Sequence, residues 1–407
     1  MGRSFRPTPR WSLPLLILAV LLTMGCGGRT STTESTILDT ECKQLDWDSC
    51  VEIGTPRTLV VDGDIPSLVW TGKVFILGYQ QRDINLSVVP PLPPLAMVFD
   101  GDGNLPAATT PTLGMNGLTL AYHPVLDRAV GISDGGAVWF DGDGVLLGTE
   151  PASGGTIFSG DLSLIEDGFL AVTGNFDSPA RAYYAHIGAT QEPLQFNTLL
   201  SRDGFGQFAI AHDVSPNGLA KKVSVSNFYT PEKLLYDIPP TGVPELVADV
   251  SARVPTSNNG FFLSHFAAKD RLFGLYGGTL PDPSDTWAMW LVDLSTPTAP
   301  TWRIDRAPNG PEAAVLMLGS DLVIASPTVH PDFRMSLARL SPGSDQPVGK
   351  LTVIARINKF SRSSSVTQTP RGFAIVWVEM DNWAPGTQIA DLPKTEIRFS
   401  QFDCCAH

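Results

Sequence analysis

Short apolar runs, punctuated by tight-turn residues, recur along most of this chain. After residue 25, no ten-residue stretch carries the 3.6-residue spacing of an amphipathic helix, so the pattern predicts strands. Each unit has a strand, a tight turn, a second strand, a variable loop and a third strand. The first runs Ser67 to Gly78 and then Leu95 to Phe99; the second, Leu118 to Tyr122, Arg128 to Ile132 and Ala137 to Phe140. Later units turn at Asp167-Gly168, Asn217-Gly218, Lys269-Asp270, Ser320-Asp321 and Arg371-Gly372. Taking Gly72, Asp127, Gly168, Gly218, Asp270, Asp321 and Gly372 as markers, the steps are 55, 41, 50, 52, 51 and 51 residues.

Units of this size cannot each bury a strand face alone and must stack on one another. The expectation is an all-β fold: a seven-bladed β-propeller of four-stranded antiparallel blades. A β-helix would show a shorter period, and a β-sandwich pair would not repeat seven times. The seventh unit ends soon after its third strand. Pro56 to Asp62 is therefore expected to join the last blade and close the ring, which removes an open sheet edge.

The N-terminal pattern is different. Arg3, Arg6 and Arg10 precede an apolar run, Leu13 to Leu22, and no acidic residue occurs before Glu34. A basic start, an apolar stretch too short to span a bilayer and small residues after it describe an export signal. Leu22-Thr-Met-Gly-Cys26 resembles the lipobox of bacterial lipoproteins, with Thr23 where a leucine is usual. That resemblance implies cleavage after Gly25 and lipidation of Cys26; the alternative is a secreted protein cut nearby. Gly27, in place of an aspartate, implies outer-membrane residence by the same resemblance. The Trp-Thr-Gly and Phe-Asp-Gly-Asp-Gly units resemble propeller repeats of large bacterial surface lipoproteins over about residues 56–403, without matching a named family. The expected organisation is a signal peptide at 1–25, a flexible tether at 26–41 and a single propeller domain at 42–405. The tether, Gly27 to Thr36, is small and polar, with nothing to bury.

Charge narrows the partners. The chain holds 28 basic and 41 acidic residues; losing three arginines with residues 1–25 takes the formal net charge from −13 to −16. Nucleic acid and anionic membrane surfaces require a basic face, so neither is expected to bind by charge. Expected instead are a membrane contact through the lipid alone, a protein or glycan ligand, and a monomer.

Of five cysteines, Cys42 and Cys50 lie just before the closing strand, and Cys404 and Cys405 just after the last one. Export implies an oxidising compartment, where an even set of cysteines reads as disulfides. Two bridges from Cys42 and Cys50 to Cys404 and Cys405 are expected, in an order the sequence leaves open. A local Cys42–Cys50 bridge and a soft-metal site are the alternatives.

Candidate chemistry is sparse. Gly131-Ile-Ser133-Asp-Gly135 fits G-x-S-x-G but lies between strands, not at the strand–helix elbow a nucleophile needs. Asp100, Asp102 and Asn104 alternate as in a calcium loop, yet Leu105 and Pro111 stand where that loop needs Gly and Glu. Asp141-Gly-Asp143 is its counterpart, and both are expected to be turns with no metal. His123, His186, His212, His265, His330 and His407 lack zinc-type spacing. Trp70, Trp139, Trp287, Trp290 and Trp377 fall in expected strands; Trp302 and Trp383 fall in expected loops, where a sugar could stack. Pro90 to Pro94 reads as a stiff loop. Ser284-Asp-Thr-Trp287 fails the spacing of the aspartate box.

No cofactor is expected and no catalytic set is visible. The functional expectation is a lipid-anchored cell-envelope binding or scaffold protein. The alternatives are an envelope carbohydrate hydrolase or lyase with its site at a channel mouth, and an outer-membrane assembly factor.

Overall fold

The structure is a computed structural model, and it describes residues 42, 45–81, 93–101, 109–113, 117–153, 159–174, 179–203, 208–214, 219, 222–227, 232–239, 244–253, 260–268, 271–279, 287–295, 301–304, 313–318, 321–327, 334–340, 348–354, 359–381 and 394–405. Cys26, with the expected signal and the whole of the expected tether, lies outside them, as do Asp102, Asn104, Trp383, His330 and His407. Among the described residues no helix is long and apolar enough to cross a membrane.

Apart from two 3₁₀ turns, Trp47–Ser49 and Ser251–Arg253, the regular elements among the described residues are strands. The first is β1 (Val51–Val61). β2 (Gly63–Trp70), β3 (Val74–Gln81), β4 (Leu95–Asp100) and β5 (Thr109–Pro111) form a sheet in chain order. β6 (Thr119–His123), β7 (Arg128–Ser133), β8 (Gly136–Asp141) and β9 (Leu146–Ser153) form the next. A third holds β10 (Ser159–Ile165), β11 (Gly168–Gly174) and β12 (Ala180–Gly188). The two-residue β13 (Leu194–Gln195) then crosses back to pair in parallel with β9, and β14 (Asn197–Arg202) completes the third sheet.

Four antiparallel strands follow: β15 (Phe208–Val214), β16 (Lys222–Asn227), β17 (Lys233–Asp237) and β18 (Glu245–Asp249). Four more come after them: β19 (Gly260–Ala268), β20 (Arg271–Thr279), β21 (Trp287–Asp293) and β22 (Thr301–Ile304). The fifth sheet is β23 (Ala314–Leu318), β24 (Asp321–Pro327), β25 (Met335–Leu340) and β26 (Val348–Val353). The sixth takes β27 (Phe360–Thr369), β28 (Gly372–Met380) and β29 (Thr395–Asp403), with β1 added outside β29.

This is an all-β propeller architecture with antiparallel blades, and it corrects the expected count: six sheets among the described residues, not seven. The fourth and fifth sequence units share one eight-stranded sheet. Asp213 opposite His265 and Val214 opposite Phe266 pair β15 with β19 in parallel and join the two runs.

Why these residues make these strands is visible in their burial. β11 and β28 are almost wholly buried, and both read as unbroken apolar runs because both faces are covered. Outer strands such as β9 and β18 are largely exposed, and they leave Leu146, Leu147, Leu246 and Val247 facing solvent. Gly72, at φ +96°, makes the β2–β3 turn in a conformation that L side chains rarely adopt.

The core sits between sheets. Val69, Ile76, Leu118, Val138 and Phe140 fill the space between the first and second. Val130, Trp139, Phe169 and Tyr183 fill that between the second and third. Leu68, Phe75, Phe99, Val376, Ile397 and Phe399 pack the sixth sheet against the first.

Candidate functional site

Among the described residues, cysteines, carboxylates and an arginine converge where the two ends of the described chain meet. Cys42 is bonded to Cys405 and Cys50 to Cys404, across 363 and 354 residues. The backbone prepares this contact. Asp46 donates its amide to the Cys404 carbonyl at 2.9 Å and uses its carboxylate to accept from Asp48 N–H and Ser49 Oγ, which holds the short Trp47–Ser49 turn. Leu45 bridges Cys405. On the other side Arg371 forks onto Asp403 Oδ2 at 2.7 and 3.0 Å, and Asp403 Oδ1 accepts the Cys405 amide at 3.0 Å.

Both bridges join the pairs the sequence expected, so a local Cys42–Cys50 bridge is absent. The order, 42 to 405 and 50 to 404, was not legible from sequence. Ligand atoms of Cys42, Asp403 and Cys405 lie within 4.8 Å of one another, a spacing that could suit a metal. The chemistry does not: both sulfurs are spent in a cystine, and Arg371 and the Cys405 amide occupy Asp403. The cluster works as a covalent seam.

A second cluster sits at the turns of the first two sheets. Asp141 Oδ1 accepts the amides of Asp143 and Val145 at 3.0 and 2.8 Å, so this carboxylate builds its own turn. Thr71 Oγ1 donates to Gly142 O at 2.6 Å, and Lys73 reaches Asp143 at 2.9 Å. Tyr122 donates to Asp127 Oδ1 at 2.9 Å; burial first, and that bond second, push its phenol up to about 12. Asp100 ends β4, exposed.

The remaining candidates have structural occupations. Ser133 Oγ donates to Leu113 O and accepts the Gly135 amide, which leaves no hydroxyl proton aimed at a substrate. His123 is buried, its Nε2 at 2.9 Å from Ile165 O and its Nδ1 accepting from the Leu126 amide. His186 is exposed on β12. Trp139, Trp290 and Trp377 are core, and Trp70 is partly buried. Trp302, expected on a loop, lies within β22; its pairing with Leu291 puts its backbone in a sheet, because Thr301–Ile304 is short and mixed enough to read as loop. His212 and His265 lie on β15 and β19, and Trp287 starts β21.

Two features were missed. Glu379 is buried on β28; it accepts from Trp377 Nε1 at 3.0 Å and faces Arg398 Nε at 3.8 Å, while Arg398 also donates to Thr58 Oγ1 and Pro56 O. The signal was there: Trp377 and Glu379 are two apart, hence on one strand face. Lys233 is 1% exposed, its ammonium 5.8 Å above the Tyr276 ring, and burial pushes it down to about 8.

No protein-family model matches the chain, and no curated protein sequence matches it. Solved structures do resemble it. The β-propeller domain of Cps50 (Swd1) from Myceliophteria thermophila aligns at TM-score 0.48 and 10% identity, over 84% of this chain and 99% of that one. The AfRom2 CNH domain aligns at 0.47 and 8%, over 85% and 99%. A chain of the mitotic checkpoint complex aligns at 0.47 and 10%, over 95% and 99%.

Proposed function

We propose that this is an exported, lipid-anchored protein of the cell envelope, attached through Cys26, that binds or scaffolds a partner with its propeller and carries out no catalysis of its own. The observation that carries the reading is the pair of cystines at the seam. Structural disulfides persist in oxidising compartments, and a basic–apolar export signal ending at Gly25-Cys26 supplies the route there. In this reading residues 26–41 are the tether, outer-membrane residence follows from Gly27, and β1 completes the last blade so that the sheets form a closed ring. Ring closure is supported by the β1–β29 ladder and by the shared core of the sixth and first sheets. The polar groups of Ser133, His123 and Asp141 are engaged in holding turns and strands, which supports a binding role over a hydrolytic one.

Fractionation of cells producing wild type and Cys26→Ser tests it. The wild type is expected in the membrane pellet, released by detergent and not by salt, and the variant in the soluble extracytoplasmic fraction. Equal release of both proteins by salt contradicts the lipid anchor.

A further inference from the structure

The two partners of the seam ladder are unequal. β29 is buried from Phe399 to Phe402 and lies between β28 and β1. Among the described strands β1 pairs with β29 alone, and of its eleven residues only Leu59 is buried. Its register slips twice, between Ile53 and Arg57 and between Thr58 and Val60, so runs of regular pairing are short. Gly54, at φ +73°, and Pro56 sit inside the first slip.

The geometry sets how such a strand fails. The ladder is antiparallel; Val51 opposite Asp403 is the terminal pair of β1, and beyond it the Asp46 amide on Cys404 O and the Leu45–Cys405 bridge continue toward residue 42. Tension arriving from the N-terminal side acts on that end and opens the pairs one at a time, each break shared by no other. Cys50 directly precedes Val51, and Cys404 directly follows Asp403. The Cys50–Cys404 bond therefore stands at the point where peeling starts, and Cys42–Cys405 repeats the connection just ahead of it.

We propose that the paired cystines are a tension bypass: a pull entering near residue 42 passes through sulfur into the core strand β29, and β1 carries none of it. The source of the pull rests on the proposed attachment at Cys26; the bypass itself belongs to the folded body.

The test is a pulling experiment on the full chain carrying Cys26→Ser, held by handles at its two termini. Oxidised, the folded body is expected to show no lengthening. In dithiothreitol a first step of about 70 Å, the extended length of residues 42–61, is expected at lower force than the main opening. A Cys42→Ser, Cys405→Ser variant, which keeps Cys50–Cys404, is expected to show no such step when oxidised. A reduced chain that opens in one event, with no 70 Å precursor, overturns the proposal; so does loss of β1 in that variant. Hydrogen exchange provides the check without handles: on reduction, amides of β1 should lose protection at least tenfold while those of β28 keep theirs. Equal loss in both strands overturns it. An unlipidated Cys26 would leave all these results unchanged.

Discussion

The amide of Leu68 donates to Ser365 Oγ at 2.9 Å across 297 residues of sequence. Leu68 lies on β2, the edge strand of its sheet, where alternate amides have no neighbouring strand to pair with. The same device recurs: Trp70 N–H donates to Thr367 Oγ1 at 3.1 Å, and Leu120 N–H on β6 donates to Ser67 Oγ at 2.9 Å. Hydroxyls on one edge strand thus cap the amides of the next. Ser365→Ala leaves a buried amide without its acceptor, a loss of about 1–2 kcal/mol. Denaturant titration is expected to show a lower midpoint at unchanged slope for Ser365→Ala and Ser67→Ala. A midpoint equal to wild type would mean that water replaces the hydroxyl.

The two cystines should be strongly non-additive. Either one closes a loop of more than 350 residues, for which the loop-entropy relation gives about 6 kcal/mol. Once one exists, the other closes only the short ring through residues 42–50 and 404–405, for about 2–3 kcal/mol. Removing one pair should cost the smaller figure; removing both should cost roughly 8 kcal/mol. Chemical denaturation of both double-serine variants and of the quadruple variant measures this, and additive losses would refute it.

Lys233 predicts a pH dependence. Its folded value of about 8 lies below the ordinary 10.5, so between those values the unfolded chain holds a proton that the folded chain has released. Stability from this group therefore rises as pH goes from about 8 to 10.5, and the penalty of burying the charge is fully present below 8. Lys233→Met should raise stability at pH 7 by up to about 3 kcal/mol, with the gain fading as pH rises from about 8 to 10.5. Melting curves of both proteins across pH 6–10.5 give the difference; a constant offset would contradict the assignment.

At the Glu379–Arg398 pair, removing one partner leaves a buried charge. Arg398→Ala should cost about 3–5 kcal/mol, and adding Glu379→Leu should recover part of it. A double-mutant cycle reads the coupling, and additive losses would mean that the two side chains act independently.

The sequence made some of this legible for identifiable reasons. Phe373 to Val378 and Phe169 to Val172 are covered on both faces, so burial writes them as uninterrupted apolar runs behind a turn, and both were located. The bridging partners were legible because all four cysteines flank the ends of the strand pattern. Their order was not, because Cys404 and Cys405 are adjacent and either could meet Cys50. The shared eight-stranded sheet was hidden: β15 and β19 meet through backbone groups at Asp213 and Val214, and backbone pairing leaves no mark on residue type. The outer strand Thr301–Ile304, Thr-Trp-Arg-Ile, is only four residues long, too short to show a period, and reads as loop. Lys233 and Glu379 were passed over because a charged residue in a strand ordinarily faces water; here Tyr276 and Arg398 supply the partners that burial requires.

The attachment at Cys26 is the central claim, and intact-mass and peptide mass spectrometry of the mature protein tests it most directly. The account predicts a chain that begins at Cys26 and carries a thioether-linked diacylglyceryl group. An unmodified N-terminus downstream of Cys26 would contradict it.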